Sequence, residues 1–404
     1  MKEIDFSEIE GVLVGNAQND GAKTGVTVFV FPYTAAGAVD ISGGGPASRE
    51  TPVIDPERAD TPVNALVLGG GSAYGLEASS GVMDCLEKHG IGYDTRSALV
   101  PIVVQSDIYD LSFGSAKIRP DKKMGEEACE AALSDSSNSS SRDFSFNSKD
   151  FDSSCGDSCS SSDSFSDFEN KVFSGAKNGS FGAGTGATVG KICGMERSQK
   201  AGIGFAAAQV GNLKVGAAVV VNALGDIYAF DEECAGGRKI AGLLSEDKKS
   251  FCDSVKELYK IYEKSFGTDS SENLSEKSDE KSDEKSSAES ENPENSEKSK
   301  SEKSKSEKKD FDAFSGRANT TIGAVFTNGD FSKSQLKKIA SMARAAYDRC
   351  IRPVGTMGDG DTIYAFSTAK SESKVRSNLN VAGTLAAEVM EKAIKNAVVF
   401  CKNS

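Results

Sequence analysis

The stretch NTTIGAVFTN, Asn319 to Asn328, decides how this chain is read. Its Thr, Ile, Val and Phe residues make a strong strand. Downstream, residues 332–351 (SKSQLKKIASMARAAYDRCI) carry the spacing of an amphipathic helix, with Ser332 or Ser334 as possible caps. Residues 361–369 (DTIYAFSTA) read as a strand and residues 381–400 as a closing helix. Upstream the character is opposite. Residues 267–309 are Ser, Glu and Lys with almost nothing apolar, which predicts a solvated linker. A strand–helix–strand–helix block therefore begins where a linker ends.

Further toward the N-terminus, residues 11–33 and 64–68 read as strand material. Residues 76–90 and 125–133 have helical spacing, and residues 98–104 (ALVPIVV) form another apolar strand candidate. From 134 to 174 the chain is dominated by Ser, Asp, Asn and Phe. Such sequence buries too little apolar area to offset chain entropy of about 1–2 kcal/mol per residue, so a second spacer is expected. Order resumes at Gly179, residues 201–230 look like two or three adjacent strands, and residues 251–266 have helical periodicity. The expectation is a single domain, residues 1–404, carrying two low-complexity insertions.

A formal net charge of −13 argues against nucleic-acid partners. The N-terminal segment MKEIDFSEIEG has no apolar core and no stretch approaches a membrane span, so no membrane partner and a cytoplasmic location are expected. Nine scattered cysteines, with Cys155 and Cys159 in the first spacer, form no paired CxxC pattern and suit a reducing compartment. Neither a metal nor a cofactor is expected. GGGSAYG (Gly69 to Gly75) lacks the third glycine of a dinucleotide fingerprint at its place, and GAKT (Gly21 to Thr24) precedes a strand, which makes it a turn.

His89 is the sole histidine, at the end of the helix read over residues 76–90, where the helix dipole favours a positive ring. Triads built on histidine have one poorly placed candidate, and histidine-rich metal sites are excluded. A hydrolase without histidine needs another base. One solution is a Thr or Ser at a free N-terminus, whose own α-amine, with an ordinary pKa of about 7.7–8.0, takes the hydroxyl proton. That amine exists only after a cut before a hydroxyl residue that opens a buried strand. Asn319–Thr320 is such a junction. Asp359 and Asp361, flanking Gly360 just before a strand, read either as a polar turn or as an acid pair that orients the Thr320 hydroxyl.

Several stretches now stand together: TGVTV (Thr24 to Val28), GGGPASRET (Gly43 to Thr51), LGGGSAYGLEASSGVM (Leu68 to Met83) and VPIVVQSDIYDL (Val100 to Leu111). GAGTGATVGK (Gly182 to Lys191), VVVNALGDI (Val219 to Ile227), NTTIGAVFTN and GDGDTIYAFST (Gly358 to Thr368) complete them. With these the chain resembles the L-aminopeptidase/D-esterase family of self-processing hydrolases, whose relatives include β-peptidyl aminopeptidases and nylon-oligomer hydrolases. The resemblance implies an α/β fold, a four-layer α/β/β/α sandwich of the self-processing aminopeptidase/ornithine-acetyltransferase type. It implies cleavage after Asn319 into an α chain, 1–319, and a β chain, 320–404. Thr320 matches the nucleophile, Asp359 and Asp361 the acid or hydroxyl pair beside it, Asn222 the oxyanion-hole amide, and Lys191 a basic residue contacting the nucleophile region. The Asp-x-Asp pair follows the nylon-hydrolase branch, where other relatives carry Ser-x-Glu.

The implied activity is aminopeptidase-like hydrolysis of short peptides, amino-acid amides or esters through an acyl-Thr320 intermediate, in a homo-oligomer, a tetramer of α/β units. Acyl transfer of the ornithine-acetyltransferase type is the nearest alternative chemistry. A catalytically inactive scaffold is the alternative from another class.

Overall fold

The computed structural model describes residues 1–134, 170–231, 234–266 and 319–401. Eleven strands form one connected surface: β1 Lys2–Ile4, β2 Leu13–Asn19, β3 Thr24–Ile41, β4 Ala47–Arg49, β5 Val63–Gly69, β6 Val103–Asp107, β7 Lys171–Ser174, β8 Ile203–Val210, β9 Leu213–Asn222, β10 Thr320–Thr327 and β11 Thr362–Ser367. The helices are α1 Ala78–Lys88, α2 Lys122–Leu133, α3 Ser254–Phe266, α4 Lys333–Cys350 and α5 Leu379–Val399.

The surface is two sheets, because β3 belongs to both. Its first half pairs with β2 and β5, and its last six residues, Ala36 to Ile41, pair with β11. The crossing falls between Val30 and Ala35, where the register shifts, and contains Pro32, which has no N–H to give a ladder. One sheet runs β1-β8-β9-β10-β11-β3 and the other β7-β2-β3-β5-β6-β4.

Strand alternation explains the stacking. On β10, Ile322, Ala324 and Phe326 point to the core between the sheets, while Val325 points to the core under α4 and α5. Across the gap, Phe29 and Phe31 of β3 and Leu66 and Leu68 of β5 meet them. The outer side of the second sheet, including Val26, Val28, Ala65 and Val67, packs on α1 and α2. Helices, sheet, sheet and helices follow one another, as the four-layer expectation required. Phe326 sits at the centre, with ring centroids 5.0 Å from Phe29, 5.7 Å from Phe6 and 6.1 Å from Phe366.

Two sequence expectations need correction. The spacer set at 134–174 ends sooner: Lys171–Ser174 adds to β2 as an antiparallel edge strand, and Phe173 meets Phe181 edge-on at 5.4 Å. Serine-rich composition hid this strand, whose Lys-Val-Phe-Ser sequence gains order only by pairing. The strand expected at 98–104 is interrupted at Pro101, with pairing at Leu99–Val100 and again from Val103. Residues 135–169 and the linker at 267–309, with Cys155 and Cys159, lie outside the described residues.

Of the two or three adjacent strands expected over residues 201–230, two pair in the main surface and the last segment leaves it. Asp226–Asp231 joins Cys234–Ala241 and Ile351–Arg352 in a small sheet of its own. Helix α4 begins at Ser332, which closes a capping box with Gln335.

Candidate active site

β10 begins at Thr320, inside the molecule. Its neighbours are β9 on one side, where Thr320 stands opposite Asn222, and β11 on the other, parallel to it. Parallel pairing brings the starts of β10 and β11 to the same end, so the residues before each strand lie side by side. Asn319 forms a bridge with Asp359, its N–H donating to Gly358 O at 3.1 Å. Six residues singled out from the sequence thus converge: Lys191, Asn222, Asn319, Thr320, Asp359 and Asp361, each at most 7% exposed.

The Thr320 hydroxyl donates to the carbonyl oxygen of Asn319 at 2.5 Å, and the Gly360 N–H donates to the same oxygen at 2.9 Å. Gly360 has to be glycine here. A Cβ on it would lie 2.9 Å from Thr320 Oγ1 and 2.9 Å from Gly45 O. The GGG segment supports this turn from behind: the N–H groups of Ser42 and Gly43 donate to Asp361 O, and that of Gly45 to Asp359 O.

The two aspartates do not touch the hydroxyl. Asp361 accepts from the Thr321 N–H at 2.6 Å and the Gly355 N–H at 2.9 Å, and Asp359 accepts from the Thr356 N–H at 2.7 Å. They shape the turn and place two buried, titratable carboxyls beside the start of β10. Burial, with the Asp359 charge second, pushes the Asp361 carboxyl up to about 7, and burial also raises Asp359.

Lys191 is buried and lies against Asn222, the residue paired with Thr320. Its ammonium donates to Asn222 Oδ1 at 2.8 Å and to the Asn222 carbonyl at 2.9 Å. Burial pulls it down to about 7, against the opposing pull of Asp359, Asp110 and Asp361. Asn222 Oδ1 also accepts from the Thr188 N–H at 3.1 Å, and Asn222 Nδ2 donates to Tyr109 O at 2.9 Å. The amide is held on both sides.

Sequence reasoning gave no role to Tyr109, Thr188, Gly360 or Asp110. Asp110 is buried behind Lys191, accepting from Thr24 Oγ1 at 2.7 Å and the Gly71 N–H at 2.8 Å. The glycines of the GGGSAYG segment serve this packing: Cβ atoms at Gly70 and Gly75 would strike the carboxylates of Asp110 and Asp107. No cofactor fingerprint is needed to explain them. His89 follows the last residue of α1, with its Nε2 3.0 Å from a carboxylate oxygen of Glu130 on α2.

Among the described residues no helix is long and apolar enough to cross a membrane. Comparison with known proteins finds relatives along nearly the whole chain. An aminopeptidase of Mycobacterium leprae is 28% identical over 93% of this chain and 82% of its own length. A 6-aminohexanoate-oligomer endohydrolase of a Kocuria species is 25% identical over 96% of this chain and 84% of its own. The structure resembles that of the L-aminopeptidase D-Ala-esterase/amidase of Ochrobactrum anthropi, with a TM-score of 0.54 at 16% identity over 97% of this chain and 84% of that one. A Pyrococcus horikoshii protein gives 0.52 at the same identity, covering 97% and 85%. These two likenesses concern the fold, which the first describes as a variant of the Ntn-hydrolase type. The family model for peptidase family S58 matches residues 5–143 and 150–403, nearly the whole chain, and the protein belongs to that family.

Proposed function

We propose that this peptidase is a self-processing, aminopeptidase-like hydrolase in which Thr320, once freed by scission of the Asn319–Thr320 bond, attacks the amide bond of short peptides or amino-acid amides. One observation carries the reading. The Thr320 hydroxyl and the Gly360 N–H meet at a single carbonyl oxygen, that of the bond to be cut.

In self-cleavage the Thr320 oxygen adds to the Asn319 carbonyl carbon, and its proton passes into the buried titratable set of Lys191, Asp359 and Asp361. Charge then develops on Asn319 O, where the Gly360 N–H already points. The C–N bond breaks, the Thr320 nitrogen takes up a proton, and water hydrolyses the resulting ester. Asn319 leaves as a carboxylate and Thr320 keeps a free α-amine.

Turnover repeats these steps on an outside carbonyl. The α-amine now serves as the base, the role for which its ordinary pKa suits it. The Asn222 amide, fixed by Lys191, is the side-chain donor to the substrate oxyanion. Because the nucleophile is the same, the acyl residue of the substrate takes the place that Asn319 occupied.

Intact-mass and N-terminal analysis of the purified protein tests this. A fragment beginning at Thr320, together with release of amine from peptide amides, is the expected result. A chain that stays whole on prolonged incubation and leaves such amides untouched refutes it.

A further inference from the structure

Helices α1 and α2 touch backbone to backbone on the outer side of the second sheet. A Cβ at Gly81 would lie 1.7 Å from Lys122 O, and one at Gly125 would lie 2.0 Å from Ala78 O, so glycine at both positions permits the approach. The close crossing fixes what comes next along each helix. Cys85 follows Gly81 by one turn and His89 follows Cys85 by another, on the same face. On α2, Cys129 follows Gly125 by one turn and Glu130 stands beside it.

Cys85 Sγ, a ring nitrogen of His89 and a carboxylate oxygen of Glu130 all lie within 4.8 Å of one another. His89 Nε2 is 3.0 Å from Glu130 Oε2 and 3.2 Å from Oε1. The Cys85 thiol also meets the side chain of Cys129, which lies behind it in the core. The cluster is graded from dry to wet. Both cysteines are buried, while the side chains of His89 and Glu130 are 19% and 41% exposed, which leaves a path from solvent.

We infer that Cys85, His89 and Glu130 form a binding site for a zinc-type divalent ion that pins α1 to α2. One thiolate, one imidazole and one carboxylate are the donors of a borderline-soft ion, not of calcium or magnesium, which take oxygen ligands. Tetrahedral zinc, with bonds of roughly 2.0–2.3 Å, sets its donors about 3.3–3.8 Å apart. Small side-chain rotations bring the three donors to that spacing, and solvent supplies the fourth ligand. On binding, Cys85 gives its proton to solvent, and the contact between His89 and Glu130 is replaced by metal bonds from each. The site lies on the far side of the second sheet from the core into which Thr320 faces, so its task is to hold the outer helical layer.

The test uses the full chain without an affinity tag and with Cys155→Ser and Cys159→Ser, so that spacer thiols do not compete. Titration with cobalt(II) should give one ion per chain, with a thiolate-to-cobalt charge-transfer band and the visible bands of tetrahedral cobalt. Zinc should displace the cobalt and raise the thermal midpoint. His89→Gln and Glu130→Gln, at partly exposed positions, should each weaken binding about tenfold or more while leaving the fold and the peptidase activity in place. Cys85→Ser should abolish the charge-transfer band. Absence of that band in the parent protein, or cobalt binding unchanged in the His89 and Glu130 variants, overturns the assignment.

Discussion

Lys191 Nζ lies within 3 Å of both the side-chain oxygen and the backbone carbonyl of Asn222, so a single buried cation sets which way that amide faces. The amide nitrogen is thereby turned away from Lys191; one of its N–H groups donates to Tyr109 O, and the second is the one proposed to meet the substrate oxyanion. Asn222→Ala should lower the turnover number roughly 10²–10³-fold, the usual effect of losing one oxyanion donor. Lys191→Met should have an effect of similar size, because the amide loses its orientation. The two losses should not multiply in the double variant. Steady-state kinetics on an amino-acid amide decides this, and full multiplicativity would mean that the residues act independently.

Gly360→Ala should slow self-cleavage severely. The added methyl group meets the Thr320 hydroxyl and Gly45 O at 2.9 Å, displacing the nucleophile or the N–H that faces Asn319 O. Gly236→Ala, where a Cβ meets nothing within 4 Å, serves as the control. Gel analysis of the two variants over time should show intact chain persisting only for Gly360→Ala.

The buried charges give stability a predictable pH dependence, best measured in uncut Thr320→Ala protein. Asp361, raised to about 7 mainly by burial, holds a proton in the folded chain that the unfolded chain loses near pH ~3.9. Its contribution is full below that value and is lost as pH rises through about 7. Lys191, lowered to about 7 by burial, behaves oppositely: above about 7 the unfolded chain binds the extra proton, and stability climbs with pH toward ~10.4. Denaturant midpoints should therefore flatten on the acid side in Asp361→Asn and on the alkaline side in Lys191→Met. Unchanged slopes in both would contradict the assignment.

Phe326→Ala should cost about 3–5 kcal/mol, since the ring stands between both sheets and four other phenylalanines surround it. Urea unfolding of the uncut protein measures this directly. A loss below 1 kcal/mol would mean that the inter-sheet core is looser than drawn.

The fold was legible where local pattern and final environment agree. Thr320 to Thr327, α4 and α5 carry unmistakable periodicity, and their order is that of the sandwich. β3 was legible only in its first half, because Pro32 and the small residues after it look like an ending when they mark a crossing between sheets. The site divides the same way. Asn319, Thr320 and the Asp-Gly-Asp turn can be singled out in the sequence, where they read equally as the start of a strand and a polar turn until the resemblance gives them roles. Lys191 and Asn222, by contrast, are 31 positions apart and have roles only through resemblance. Tyr109 contributes a carbonyl and Gly360 an N–H, and backbone groups leave no trace in residue type.

The position of β10 has a consequence for the life of the molecule. Its eight residues are laced on one flank to β9, which precedes the scissile bond, and on the other to β11, which follows it. A nick at Asn319 would therefore release nothing: the two pieces stay woven into one sheet. The route by which the sheet was first assembled, however, belonged to a continuous polymer. If the chain is severed as proposed, recovery from denaturation would become a bimolecular encounter that slows with dilution, so the working enzyme would persist through a slow rate of unravelling and not through a ready return.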